Sequence, residues 1–166
     1  MKVSTVISAT LCLAAASIPA GCATRAETLA EAQSIKVDLI AVSVSDVDAA
    51  IAWYSTILQM QLSEKNDHGN GVVVAFLEGN GLRLEIVKLA NAIPFAAPDS
   101  ANPATRHGVV KLTFAANDLQ LVEKLAKSAQ AQTLFPLNRS DNGNRCYVTF
   151  ADPDGNWVQF AGPCPE

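Results

Sequence analysis

Apolar and polar residues alternate along residues 36–44 and again along 109–116, a period of two that predicts a half-buried β-strand at each place. Each run ends in residues suited to a helix start: Ser45-Asp46 and Asn117-Asp118 carry side chains that accept orphan amide hydrogens. The spacing then changes. Val47, Ile51, Tyr54 and Leu58, and later Val122, Leu125 and Ala129, recur at helical intervals and predict two amphipathic helices. Residues 60–64, 71–77 and 82–89 follow the first helix as three strands with turn residues between them. After the second helix come a weaker strand near 132–134, then 145–151 and 157–162. The last two are joined by Asp152-Pro153-Asp154-Gly155-Asn156, a run of hairpin-turn residues.

The two stretches are copies of one unit. Ile40-Ala41-Val42-Ser43-Val44-Ser45-Asp46 matches Leu112-Thr113-Phe114-Ala115-Ala116-Asn117-Asp118 at an offset of 72. Phe76-Leu77-Glu78-Gly79-Asn80-Gly81 matches Phe150-Ala151-Asp152-Pro153-Asp154-Gly155 at an offset of 74. Two shared landmarks imply a duplicated β-α-β-β-β module. The modules span 36–89 and 107–162, and residues 90–106, with Pro94, Pro98 and Pro103 and no periodicity, read as the linker.

The N-terminal segment stands apart from this pattern. Residues 3–24 carry no charge, follow Lys2, and hold an apolar run that is too short to cross a hydrocarbon core. That is the layout of an export signal over residues 1–21. Ile18-Pro19-Ala20-Gly21-Cys22 resembles a bacterial lipoprotein cleavage site, with Pro19 where Leu is usual. On this reading Cys22 is acylated, residues 22–35 form a tether, and the chain sits in the bacterial periplasm as a membrane-anchored lipoprotein. Cleavage after Ala20 or Ala23, giving a soluble periplasmic protein, is the alternative. The whole chain of 166 residues carries 12 basic and 16 acidic side chains, and 49% of it is hydrophobic. These charges are scattered, so no basic stripe exists to bind nucleic acid.

The duplicated unit, with Val44-Ser45-Asp46, Trp53-Tyr54, Leu84-Glu85-Ile86 and Asp152-Pro153-Asp154-Gly155-Asn156-Trp157-Val158-Gln159-Phe160, resembles the vicinal oxygen chelate superfamily, the glyoxalase, bleomycin-resistance and extradiol-dioxygenase group. The resemblance covers residues 36–162. It implies an α+β fold in which two paired β-α-β-β-β modules form an open curved barrel with helices on the outer face and a cavity between the halves. Strand alternation then turns Leu39, Ala41, Ser43, Arg83, Glu85 and Val87 toward the cavity, with Lys111, Thr113, Ala115, Tyr147, Thr149, Trp157 and Gln159 from the second module.

Metal-dependent members place a ligand on the first and last strand of each module, usually His and Glu. Here the corresponding residues are Leu39, Glu85, Lys111 and Gln159. Leu has no lone pair, protonated Lys has only donors, and an amide is a weak neutral ligand, so no metal or other cofactor is expected. His68 and His107 read as solvated loop or strand-end residues. What stands in the place of the ion, on this resemblance, is the Lys111 ammonium facing the Glu85 carboxylate. Leu39, Ser43, Arg83, Thr113, Tyr147, Trp157 and Gln159 are the expected ligand-binding residues. Cys146 and Cys164 are the cysteines left to the folded domain; a hairpin turning at 152–156 opposes pairs summing to about 310, which sets the two near each other for a disulfide. Two separate thiols are the alternative.

Three functions are compatible with these residues. The first is a metal-free module binding a small organic molecule in the cavity. The second is a lyase, isomerase or dioxygenase of the same fold, with Glu85 as base and Lys111 as its catalytic electrostatic partner. The third is an envelope interaction lipoprotein with a vestigial cavity. A small-molecule ligand, the membrane through Cys22, and a second copy in a homodimer are the partners this reading allows.

Overall fold

Asp46 and Asp118 start the two helices as the sequence predicts. Asp46 Oδ1 accepts from the amides of Asp48 and Ala49 at 2.9 and 3.1 Å, and Asp118 Oδ1 accepts from Leu121 at 2.9 Å. Each helix closes near a glutamine in the left-handed region, Gln59 after the first and Gln130 just past the second. The computed structural model describes residues 37–93, 109–141 and 143–166. The expected export signal, Cys22 and tether, most of the expected linker, Lys36 and His107 lie outside the described residues.

The elements run β1 (Ile40–Ser43), α1 (Val47–Leu58), β2 (Gln61–Asp67), β3 (Val73–Gly79), β4 (Leu82–Lys88), β5 (Lys111–Ala115), α2 (Leu119–Ser128), β6 (Gln132–Arg139), β7 (Cys146–Ala151) and β8 (Trp157–Gly162). They form two four-stranded sheets of identical topology, β1-β4-β3-β2 and β5-β8-β7-β6. In each, the first strand lies parallel to the last, and the other neighbours are antiparallel. The fold is α+β: two β-α-β-β-β modules with open sheets. Asn80 and Gly81, both at positive φ, make the tight β3–β4 turn.

Alternation sorts the faces as expected. Val42, Leu84, Ile86, Val148, Phe150, Val158 and Phe160 are buried on the helix side, while Ala41, Ser43, Lys111, Thr113 and Ala115 are exposed on the other. The buried residues of both modules form one continuous core. The 152–156 turn pins the modules together. Asp152 Oδ1 accepts from the amides of Asp154 and Asn156, and its Oδ2 accepts from Asn156 Nδ2 and from the Tyr54 hydroxyl of α1 at 2.8 Å. Asp154 Oδ1 accepts from the Ser45 amide at 3.0 Å. A turn that reads in the sequence as local hairpin chemistry is therefore an inter-module clasp.

Two details differ from the sequence reading. Strand β6 runs on to Arg139, through Pro136, which an edge strand with bulges at Thr133/Phe135 and Phe135/Asn138 accommodates. In the β7–β8 hairpin Cys146 opposes Gly162, with Cys164 two residues beyond. The Cys146–Cys164 disulfide forms even so, across a Cα–Cα distance of 4.9 Å, and ties the C-terminal segment to β7.

Candidate functional site

The open faces of the sheets, away from the helices, carry the side chains that the sequence singles out. In the first module a cross-strand row runs Ala41, Glu85, Phe76, Glu64, and Arg83 stands opposite Glu78 in the neighbouring row. The Arg83 guanidinium lies 4.2 Å from the centroid of the Phe76 ring. Its Nε is 3.5 Å from Glu78 Oε1, inside ion-pair range but without hydrogen-bond geometry, and that nitrogen is itself buried. Both side chains are about half exposed, so the pair adds less than ~1 kcal/mol. Glu85 is half-buried in the same row, while Leu39 is half-buried and Ser43 exposed.

The second module's face is built differently. Thr113, Gln159 and Thr149 stand in one cross-strand row. The Thr113 hydroxyl donates to Gln159 Oε1 at 3.3 Å, and Gln159 Nε2 donates to the Thr149 hydroxyl at 3.2 Å. The Gln159 amide is thus held in place between two threonine hydroxyls. One row along, Lys111 is the cross-strand neighbour of Trp157. Trp157 meets Phe135 edge to face, with centroids 5.0 Å apart and an interplanar angle of 73°. Tyr147 is half-buried on the same face.

The expected Glu85–Lys111 ion pair does not form within the chain. The two residues stand on different sheets, and among the described residues the ion pairs are Lys65–Asp48 and Arg83–Glu78. No hydrogen bond or ring contact among the described residues joins one open face to the other. The reason is the way the modules meet: they share a core on their helix-covered sides, and the two open faces do not pack against each other. Surface cavities open elsewhere. One of about 230 Å³ lies where Ser43–Ser45 meets Lys88–Ile93 and Asp154, and one of about 390 Å³ lies between Asn117–Gln120 and the C-terminal residues 163–166. Of the expected ligand residues, Ser43 lines the first.

Sequence reasoning passed over Phe76 and Phe135. Phe76 was legible as a residue opposite Glu85, but only once the β3–β4 register is known. Phe135 lies one residue past the strand expected near 132–134, which runs on through Pro136.

Residues 36–160 match the family model for the glyoxalase/bleomycin resistance protein/dioxygenase superfamily. The chain belongs to that superfamily. It is 26% identical over 129 residues to the Bacillus subtilis (strain 168) protein YwbC, covering 75% of this chain and 95% of YwbC. It is 25% identical over 133 residues to the mouse glyoxalase domain-containing protein 4, covering 78% of this chain and 42% of that longer protein. Among solved structures, a glyoxalase family protein from Enterococcus faecalis superposes with a TM-score of 0.62 at 19% identity, over 76% of this chain and 96% of that one. A glyoxylase/bleomycin resistance protein/dioxygenase domain from Frankia sp. EAN1pec gives 0.64 at 19% identity, over 78% and 93%. At these identities the structures share the fold.

Within this glyoxalase-like fold the residues at the ligand positions do not suit a divalent ion. Leu39 offers no donor, Lys111 offers only N–H groups, and the Gln159 oxygen already accepts from Thr113. Glu85 is the one carboxylate of the four. Among the described residues no group of three or more His, Cys, Asp or Glu side chains converges to hold a metal. His68 is exposed in the turn after β2, away from these positions.

Proposed function

We propose that this glyoxalase-like chain is an exported, metal-independent binding module that holds a small organic molecule against the open faces of its sheets. The observation that carries the reading is the donor set Leu39, Glu85, Lys111 and Gln159. It falls short of the three protein ligands a catalytic zinc requires, and its amide is already committed to Thr113. What the faces do offer is a cation, two stacking surfaces and a fixed amide, mounted on strands that a shared core holds rigid.

Export follows from the N-terminal signal, and acylation of Cys22 would display the domain at the periplasmic surface of a membrane. A ligand lying on an open face stays partly in water until something covers it. The second copy of a homodimer supplies that cover.

The test uses the full chain, exported and purified without chelator, with elemental analysis and a thermal-shift screen of small organic compounds. The expected result is no stoichiometric metal and a raised midpoint with at least one compound, since a ligand selective for the folded state must stabilise it. Stoichiometric zinc, iron, nickel or manganese whose removal lowers the midpoint would overturn the reading.

A further inference from the structure

We infer that the second module's open face selects a planar aromatic acid: the Lys111 ammonium takes its carboxylate and Trp157 takes its ring. The inference rests on the binding-module reading and assigns it a ligand class and a face.

The two modules share a backbone plan but not a surface chemistry. On the first face Arg83 is the cation beside Glu85, and it is already engaged by the Phe76 ring and by Glu78, with Glu64 at the far end of the neighbouring row. A ligand anion there would meet three carboxylates and a guanidinium that is already occupied. On the second face the rows through Lys111, Thr113 and Ala115 contain no carboxylate: their partners are Trp157, Gln159 and Ala161, then Ala151, Thr149 and Tyr147. Lys111 is exposed and makes no ion pair among the described residues, so its charge is available to an incoming anion.

Geometry supplies the rest of the selection. Lys111 and Trp157 are cross-strand partners, so an ammonium and an indole stand side by side on one face. Phe135 braces the indole edge-on and is itself 43% exposed, which leaves an aromatic corner open to a flat ring. Gln159, two residues along from Trp157, has one amide N–H committed to Thr149 and its oxygen committed to Thr113. The second N–H remains to be given to a carboxylate oxygen or a ring hydroxyl. A flat ring bearing a carboxylate satisfies these groups together. A cation would be repelled by Lys111, and a saturated acid would keep the apolar contact with the indole but lose the ring-on-ring stacking.

The experiment titrates the full chain with 2-naphthoate, 2-naphthylmethylammonium and cyclohexanecarboxylate by isothermal calorimetry. It is repeated with Lys111→Glu and, as a charge-matched control on the exposed side of α2, Lys124→Glu, each first shown to melt like the parent. Naphthoate should bind most tightly, weaken about tenfold or more in K111E, and bind K124E within about twofold of the parent. Equal binding of naphthoate to parent and K111E, or ammonium binding as tight as the acid, would overturn the inference while leaving a binding module of another preference. If none of the three binds and the broader thermal-shift screen is also silent, the binding-module reading falls with it.

Discussion

The Tyr54 hydroxyl donates to Asp152 Oδ2 at 2.8 Å, joining residues 98 positions apart in a buried hydrogen bond between the modules. Burial, then the nearby Asp152 carboxylate and the bond to it, raise the Tyr54 pKa far above its ordinary 10.0. The folded state thus keeps this phenol protonated where the unfolded chain would release the proton. Its stabilising effect is fully present below about pH 10 and is lost progressively as pH rises beyond that. Tyr54→Phe should cost about 1–3 kcal/mol at neutral pH by leaving a buried acceptor short of a donor. It should also flatten the alkaline limb of a stability profile measured by urea denaturation; an unchanged limb would contradict the assignment.

Gly162 ends β8 where a side chain has no room. A Cβ there would land on the Ala116 carbonyl oxygen and lie 3.5 Å from Leu119 Cγ. Gly162→Ala should therefore destabilise by ~2 kcal/mol or more, read as a fall in the denaturation midpoint.

The Cys146–Cys164 bridge closes a separation of 18 residues. Removing it in a Cys146→Ala/Cys164→Ala double variant should cost roughly 3 kcal/mol through the greater freedom of the unfolded chain. Calorimetric melts with and without reductant check this: the parent should shift on reduction and the double variant should not.

Adjacent residues on β4 should respond oppositely to substitution. Leu84 is fully buried, so Leu84→Ala should cost about 2–5 kcal/mol. Glu85 faces the other way without an ion pair, and Glu85→Gln should fall within about 0.5 kcal/mol of the parent in the same assay.

Acylation at Cys22 predicts that the exported chain partitions into detergent and that its N-terminal peptide carries diacylglycerol by mass spectrometry. Cys22→Ala should release it to the soluble fraction. A soluble parent beginning at Gly21 or Thr24 would instead mark cleavage by an ordinary signal peptidase.

Local periodicity made the modules legible. Ala41, Ser43, Lys111 and Thr113 lie on the open faces and Val42 and Phe114 on the core side because a strand's alternation is a property of its own residues. The face residues of the site were legible for the same reason. What joins one module to the other was not: no period relates Tyr54 to Asp152, or tells whether Glu85 and Lys111 will face each other. Phe135 lies one residue past the expected strand; the proline after it is compatible with a strand only at a sheet edge, and β6 proves to be one only once the strand order is known.

The clasp at Asp152 has no counterpart in the first copy, where Glu78 occupies the matching place and faces Arg83 across the sheet. Separating the two modules would strand Asp152 without its phenolic donor and expose the apolar surface where the two helices meet. The repeats have thus ceased to be interchangeable: each has become the missing half of the other, and neither would be expected to persist as a free-standing miniature.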